Sequence, residues 1–390
     1  MATLRVRTYS ARFGDTLLVS VPDQDAGTGL TTVRHVLIDA GHVLVGEDPA
    51  FRPVLEDVLT QLDGAPLDLY VLSHEHLDSV QGSQSLERLK LRHAWLTASA
   101  APDYSEQHGD SARQLARSKA LYDDLSEYCR LRPEAARGSV QSLLLGNDYR
   151  KAEEHAELLR GLAEHPHYVC RGAKLEGTHP FKEAKLEVWA PEAETREYTG
   201  RVFPVALGLE RRPGGGVSLH VPTPPAGVDA SAFYNLLSWR RQGMGDDLLA
   251  IDTTAKNMSI VFSLEWRGWR LLFAGDAGAR SWTLMKQRDV LRPVHFLQAG
   301  DHGTPGEDIL DAILPVGGDT QRYAVISEGN GVARLRSRCL PSTPPPGALY
   351  MDLTFEDRER PQVTPRTRRA VPARAFGVRG HTRGGGKRRA

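Results

Sequence analysis

The chain opens on short apolar runs. Leu4–Tyr9, Thr16–Val21 and Val33–Ile38 are rich in Val, Leu, Thr and Tyr and are separated by Gly-Asp and Gly-Thr-Gly breakers, which predicts strands joined by tight turns. Val54, Leu55, Val58, Leu59 and Leu62 recur at helical spacing and predict a helix over Pro53–Leu62. Leu67–Leu72 reads as a continuous apolar strand, and Ala94–Thr97 as another. From Ser111 to Glu164 the period turns helical, with one stripe of Leu115, Ala116, Leu121, Leu125 and Tyr128 and a second of Ala152, Ala156, Leu159 and Leu162. This segment, about 105–165, reads either as a packing layer or as an insert that roofs a site. Strand character returns at Lys185–Trp189, and at Met258–Trp266 and Arg270–Ala274, the latter two joined by Arg267-Gly268 as in a hairpin. Val294–Gln298 and Tyr323–Ser327 are further short strands, and the Gly/Pro-rich stretch Pro204–Pro225 reads as a long loop.

After Pro341 the composition shifts to Pro, Arg and Gly without periodicity. The expectation is a domain over 1–340 followed by a 341–390 tail that is disordered from about 358. From Arg358 onward there are eleven Lys or Arg against the single acid Glu359; removing these from 49 basic and 49 acidic residues leaves 38 and 48 in 1–357, a formal charge of −10. The body therefore lacks the net basic footprint of an avid, non-specific DNA binder. The basic tail reads either as a solvated appendage or as a weak nucleic-acid contact. A chain of 390 residues with 25% charged and 40% apolar side chains excludes wholesale disorder and fibrous repeats. No apolar run approaches the roughly 20 residues that cross a bilayer. Met1–Val19 carries no secretory signal, and Cys129, Cys170 and Cys339 form no CxxC pair, so a cytoplasmic protein without membrane contact is expected.

The chemistry concentrates in Leu72-Ser73-His74-Glu75-His76-Leu77-Asp78-Ser79, directly after an apolar strand. Alternate residues of an extended segment point the same way, so His74, His76 and Asp78 can converge. Two imidazoles and a carboxylate suit zinc, manganese or iron. Leu271–Asp276 is a second apolar strand that delivers a carboxylate at its tip, and Phe296–Ala299 is a third, followed by Gly300-Asp301-His302-Gly303. Three such strands describe a site at one edge of packed sheets. The chain has no GxSxG elbow, no P-loop and no GxGxxG after a strand.

This order of motifs resembles the metallo-β-lactamase-fold hydrolases. More narrowly it is similar to the metallohydrolase domain of the ComEC/Rec2 competence family, through Gly14-Asp15, Ile38-Asp39-Ala40-Gly41, Asn257-Met258-Ser259 before the Gly-Asp strand, and the late strand Ala324-Val325-Ile326-Ser327. The resemblance spans roughly 1–335. It implies a four-layer αββα sandwich with a helical insert, and one or two metal ions at the sheet edge: zinc, with manganese or iron as alternatives. His74 and His76 would bind the first metal, Asp78 and His302 the second, and Asp276 would bridge them. Asp78 and His302 would be catalytic, with an activated water attacking a phosphodiester or a related phosphoryl or acyl substrate.

Two departures stand out. Ser79 replaces the final His of the family's HxHxDH, and Asp301-His302-Gly303 replaces His-His-Gly, leaving either Asp301 or His302 as the ligand. His179, in Gly177-Thr178-His179-Pro180, is the candidate to complete the first metal site; its bland reading is a surface histidine. Two functions follow from the resemblance. One is a metal-dependent hydrolase of a small-molecule or phosphodiester substrate. The other is a catalytically degenerate member that serves as a regulatory or scaffolding component of a bacterial multi-protein system, of the kind used in defence, docking a protein partner through its helical insert.

Overall fold

The computed structural model describes residues 2–10, 15–40, 51–75, 83–198, 209–211, 217–219, 223–224, 226–300, 305–317, 321–326, 340–341, 349–357 and 363–368. The strands are β1 (Thr3–Ser10), β2 (Asp15–Gln24), β3 (Thr31–Ile38), β4 (Leu67–Val71), β5 (Leu91–Thr97), β6 (His165–Val169), β7 (Lys185–Ala190), β8 (Leu209–Arg211), β9 (Val217–Leu219), β10 (Val261–Trp266), β11 (Trp269–Phe273), β12 (Phe296–Ala299), β13 (Tyr323–Ile326), β14 (Leu340–Pro341), β15 (Tyr350–Glu356) and β16 (Val363–Arg368). Between them run α1 (Arg52–Leu62), α2 (Gly109–Leu131), α3 (Ser139–Gly146), α4 (Tyr149–Leu162), α5 (Ala230–Gln242), α6 (Met244–Asn257), α7 (Ala279–Gln287) and α8 (Glu307–Ile313).

The larger sheet has the order β16-β15-β1-β2-β3-β4-β5-β6 and the smaller one β14-β13-β12-β11-β10-β7. β8 and β9 pair as a ribbon within the stretch expected to be loop. Strands β3 to β6 are parallel neighbours, as are β11 to β14, and α1, α4, α7 and α8 in the crossovers pack on the outer sheet faces.

Alternation builds the layers. The inner-face residues Val6, Leu17, Val36 and Leu69 of the larger sheet meet Phe262, Leu264, Leu271 and Phe273 of the smaller one in a shared core. Each such side chain, fully buried, contributes about 1.5–3 kcal/mol. Outward-facing Leu18, Leu37, Tyr70 and Leu96 are covered by α1 and α4. Leu272, Leu297 and Ala324, on the far side of the smaller sheet, are covered by α7 and α8. The result is helices, sheet, sheet, helices. The β10–β11 hairpin turns at Arg267 (φ 44°) and Gly268 (φ 81°), a left-handed pair that glycine eases. The tryptophans flanking it join the two sheets: Trp266 Nε1 donates to the Pro22 carbonyl at 2.7 Å and Trp269 Nε1 to that of Glu356 at 3.2 Å.

The helices of this segment divide between two packing environments. Ala156 and Leu159 of α4 pack on the larger sheet, making α4 a layer helix. Helices α2 and α6 instead form a cap with its own core of Leu121, Tyr122, Leu125, Met244 and Leu248, against which Val140 and Leu143 of α3 pack.

The expected tail is corrected in part. β15 pairs antiparallel with β1, and β16 with β15, so residues 350–356 and 363–368 belong to the larger sheet. Met351, Leu353 and Phe355 enter the inter-sheet core, a strict alternation that the flanking Pro and Gly obscure. Buried Arg7 of β1 donates to Asp352 of β15 through Nε (2.7 Å) and Nη2 (2.8 Å) and to Asp57 of α1 at 2.5 Å, with its guanidinium 3.6 Å from the Tyr350 ring centroid. Residues 358–362 and 369–390, with most of the basic tail, lie outside the described residues. Among the described residues, no helix is long and apolar enough to cross a membrane.

Candidate functional site

Three strand ends and one helix end meet at a single edge. β4 runs on into Leu72-Ser73-His74-Glu75, β11 into Ala274-Gly275-Asp276, and β12 into Gly300, while α6 ends in Lys256-Asn257. Ile260 N donates to the Ser73 carbonyl at 2.6 Å and Gly300 N to that of Gly275 at 2.9 Å. Gly275, at φ +50°, lies so close that a Cβ there would stand 2.8 Å from the Ser73 side chain. Only glycine meets both demands.

His74 is buried, and its orientation is set from behind. Asp39, just past β3, accepts from Ser73 N at 2.8 Å and from Ser73 Oγ at 2.6 Å. Asp39 itself adopts φ 51°, a left-handed conformation that aspartate tolerates better than most residues, while its N–H donates to the Val71 carbonyl at 3.0 Å. Ser73 Oγ lies 2.9 Å from His74 Nδ1. A hydroxyl has one proton, and here it goes to the carboxylate. His74 Nδ1 must therefore donate to Ser73 Oγ, and this network assigns the tautomer whose Nε2 carries the lone pair.

Asp276 is placed by its loop. The Gln298 side chain accepts from Ala274 N (3.0 Å) and Gly275 N (2.9 Å). A Cβ on Gly300 would stand 2.2 Å from Asp276 Oδ1, so the carboxylate occupies space that only glycine leaves open. The ammonium of buried Lys256 lies 3.8 Å from Asp276 and 3.2 Å from Asp252, whose other oxygen accepts from Asn147 Nδ2 at 3.2 Å. The Asn257-Met258-Ser259 motif serves this corner structurally: Asn257 Oδ1 accepts from Ser281 N at the start of α7 (3.2 Å), and Ser259 Oγ donates to the Lys256 carbonyl (2.7 Å).

A cavity of ≈ 100 Å³ opens beside His74, walled by Glu75 and Thr97 and roofed by Lys119, Tyr122, Tyr149 and Met258. Of the residues lining it, Lys119, Tyr122 and Ile251 belong to the cap helices. Burial pushes the Glu75 carboxyl above the usual carboxylate range, against the pull of a 2.8 Å hydrogen bond from Thr97 Oγ1.

The structure brings His74 and Asp276 to adjoining loops. His179 goes elsewhere: its ring packs edge-on to Trp95 (6.2 Å) and against Phe181 (5.6 Å), it does not line the cavity, and its pKa is lowered by burial. It borders a histidine group on β5 and β6 in which His93 Nδ1 lies 3.1 Å from His167 Nε2. His76, Asp78, Ser79, Asp301 and His302 lie outside the described residues. Among the described residues, no three His, Cys, Asp or Glu side chains gather as a metal-ligand set.

Comparison with known proteins matches no family model and finds no significant curated relative. The site therefore stands on its own chemistry. An imidazole whose Nε2 is an acceptor and a carboxylate in a glycine cradle are donors that fit a divalent ion of the zinc or manganese type.

Sequence reading placed Ser73 in this corner without a role and missed Lys256, Asp252 and Asn147. Asp252 and Lys256, four apart on a helix, carried a legible ion-pair signal; the role of Ser73 carried none.

Proposed function

We propose that this chain is a metal-dependent hydrolase with a metallo-β-lactamase-like sandwich, close in kind to the ComEC/Rec2 metallohydrolase domain. The observation that carries this reading is the Asp39–Ser73–His74 relay, which orients the His74 imidazole at the sheet edge where Gly275, the neighbour of Asp276, packs against Ser73. His74 and Asp276 would hold the ion, joined by His76, Asp78 and His302 as the sequence resemblance implies. A divalent ion there would supply Lewis acidity and an acidified water. The chain's own residues do the rest. Asp39 and Ser73 fix the imidazole, Gln298 and Gly300 set the carboxylate, and Lys119 and Tyr122 of the cap line the cavity. The largely apolar roof of Tyr122, Tyr149 and Met258 suits a small phosphoryl or acyl substrate better than a duplex, as does the −10 body. Cys129 and Cys170 are free thiols, in keeping with a reducing cytoplasm.

Elemental analysis of the purified chain and of a His74→Ala variant tests this reading, followed by phosphodiester, phosphomonoester, ester and lactam probes with added Zn²⁺ or Mn²⁺. Metal that is lost in the variant, together with turnover of one probe class, is expected. Absence of both would sink the hydrolase and leave the scaffold reading.

A further inference from the structure

Lys256 is the feature of this corner that the hydrolase reading does not use. Its ammonium is buried at the last turn of α6, where the helix carbonyls favour a cation. It is flanked by Asp252 at 3.2 Å and Asp276 at 3.8 Å. The chain is held on both sides, by Ser259 Oγ on the Lys256 carbonyl and by Asn257 on the start of α7. A lysine placed this way is not a solvated helix end.

Resting on the metal-dependent reading, we propose that Lys256 is a positioning residue that gives the site a fixed positive charge, steering Asp276 and limiting the site to one divalent ion. The reason is charge. Asp276 already shares its negative charge with an ammonium inside a poorly solvated corner. A second dication bound to the same carboxylate would face that ammonium a few ångströms away, with little water to screen the repulsion. Asp252, held by Asn147 of the cap, keeps the ammonium between the two carboxylates instead of letting it collapse onto Asp276. The first ion can then still compete for Asp276.

Mn²⁺ titration of the full chain, read by electron paramagnetic resonance and by metal content after desalting, tests this. Wild type should bind one equivalent, with the spectrum of an isolated ion. Lys256→Met, which keeps the length and removes the charge, should take a second equivalent, at least about tenfold tighter than any second step in wild type and spin-coupled to the first. Lys256→Arg should restore single occupancy. Asp252→Asn provides a second arm: with its other partner neutralised, Lys256 should press on Asp276 and weaken the first Mn²⁺ by about tenfold. Two equivalents in wild type, a Lys256→Met variant that melts normally yet still binds one, or an Asp252→Asn variant of unchanged affinity would each overturn the role of Lys256 and leave the hydrolase reading intact. No metal in any of the proteins would overturn both.

Discussion

Asp39 grips Ser73 twice, at the backbone N–H (2.8 Å) and at the hydroxyl (2.6 Å), and so decides which nitrogen of His74 faces the site. Ser73→Ala removes the acceptor for His74 Nδ1 without adding bulk. The expected outcome is a 10–100-fold loss of metal affinity, the usual cost of removing such an outer partner, with the circular-dichroism spectrum unchanged. Isothermal titration with Zn²⁺ measures it, and wild-type affinity in Ser73→Ala would mean that the relay orients nothing.

Gly300 tests the carboxylate half of the site. A methyl group at this position would fall 2.2 Å from Asp276 Oδ1, so Gly300→Ala must displace that side chain or its loop. Overpacking of this kind costs about 1–3 kcal/mol. Metal uptake should fall together with thermal stability, whereas Gly64→Ala, at a position with open space around it but a left-handed φ, should lower stability alone.

Arg7 fastens β15 to β1 and α1 by three hydrogen bonds. Arg7→Met leaves two half-buried carboxylates without their cation and should cost about 3 kcal/mol, the low end for a broken buried pair, read as a lower urea midpoint. Chains ending at residue 345 should fail to fold, whereas chains ending at 368 should unfold cooperatively. A stable, monodisperse 1–345 fragment would show that β15 is dispensable.

Acid should weaken the fold in a defined window. Burial, helped by neighbouring His167, His165 and His179, lowers His93 to about 4; burial, helped by Arg322 and Arg270, lowers His295 to about 4. In the unfolded chain both titrate near 6.5. The folded state therefore takes up fewer protons between these values, so the stability contribution is complete above 6.5 and is lost as pH falls towards 4. His295 also accepts from Arg270 N through Nδ1 at 2.9 Å, a bond that protonation removes. Because His295 is partly exposed, its share is about 1 kcal/mol. Thermal melts at pH 7.5, 6 and 4.5 should show the decline, and it should flatten in His295→Gln. An equal slope in the variant would place the acid sensitivity elsewhere.

The strands that build the sandwich were legible because their side chains alternate or run apolar between glycine breakers, as in Thr16–Val21 and Leu67–Leu72. Tyr350–Glu356 carried the same signal in Met351, Leu353 and Phe355, but it sits between Pro/Gly-rich flanks, and composition outweighed period. His74 and Asp276 were legible as strand-end ligand types. His179 was not separable from a ligand by sequence, because its partners Trp95 and Phe181 come together only through the packing of β5 against the loop after β6. Lys256 stayed hidden for a similar reason: a lysine in a last helical turn is ordinarily solvated, and only the meeting of α6 with the Asp276 loop buries it.

Arg7 and Asp352 are 345 positions apart in the chain yet joined side by side. β1 thus waits on the ribosome until β15, 345 positions further along the chain, has been made. Until then β1 presents an open edge next to a half-built core, a state prone to pairing with other nascent chains. Such a long-range closure also raises contact order and slows folding. Expression yield should therefore depend on chaperone supply and on temperature more steeply than the finished protein's stability alone would suggest.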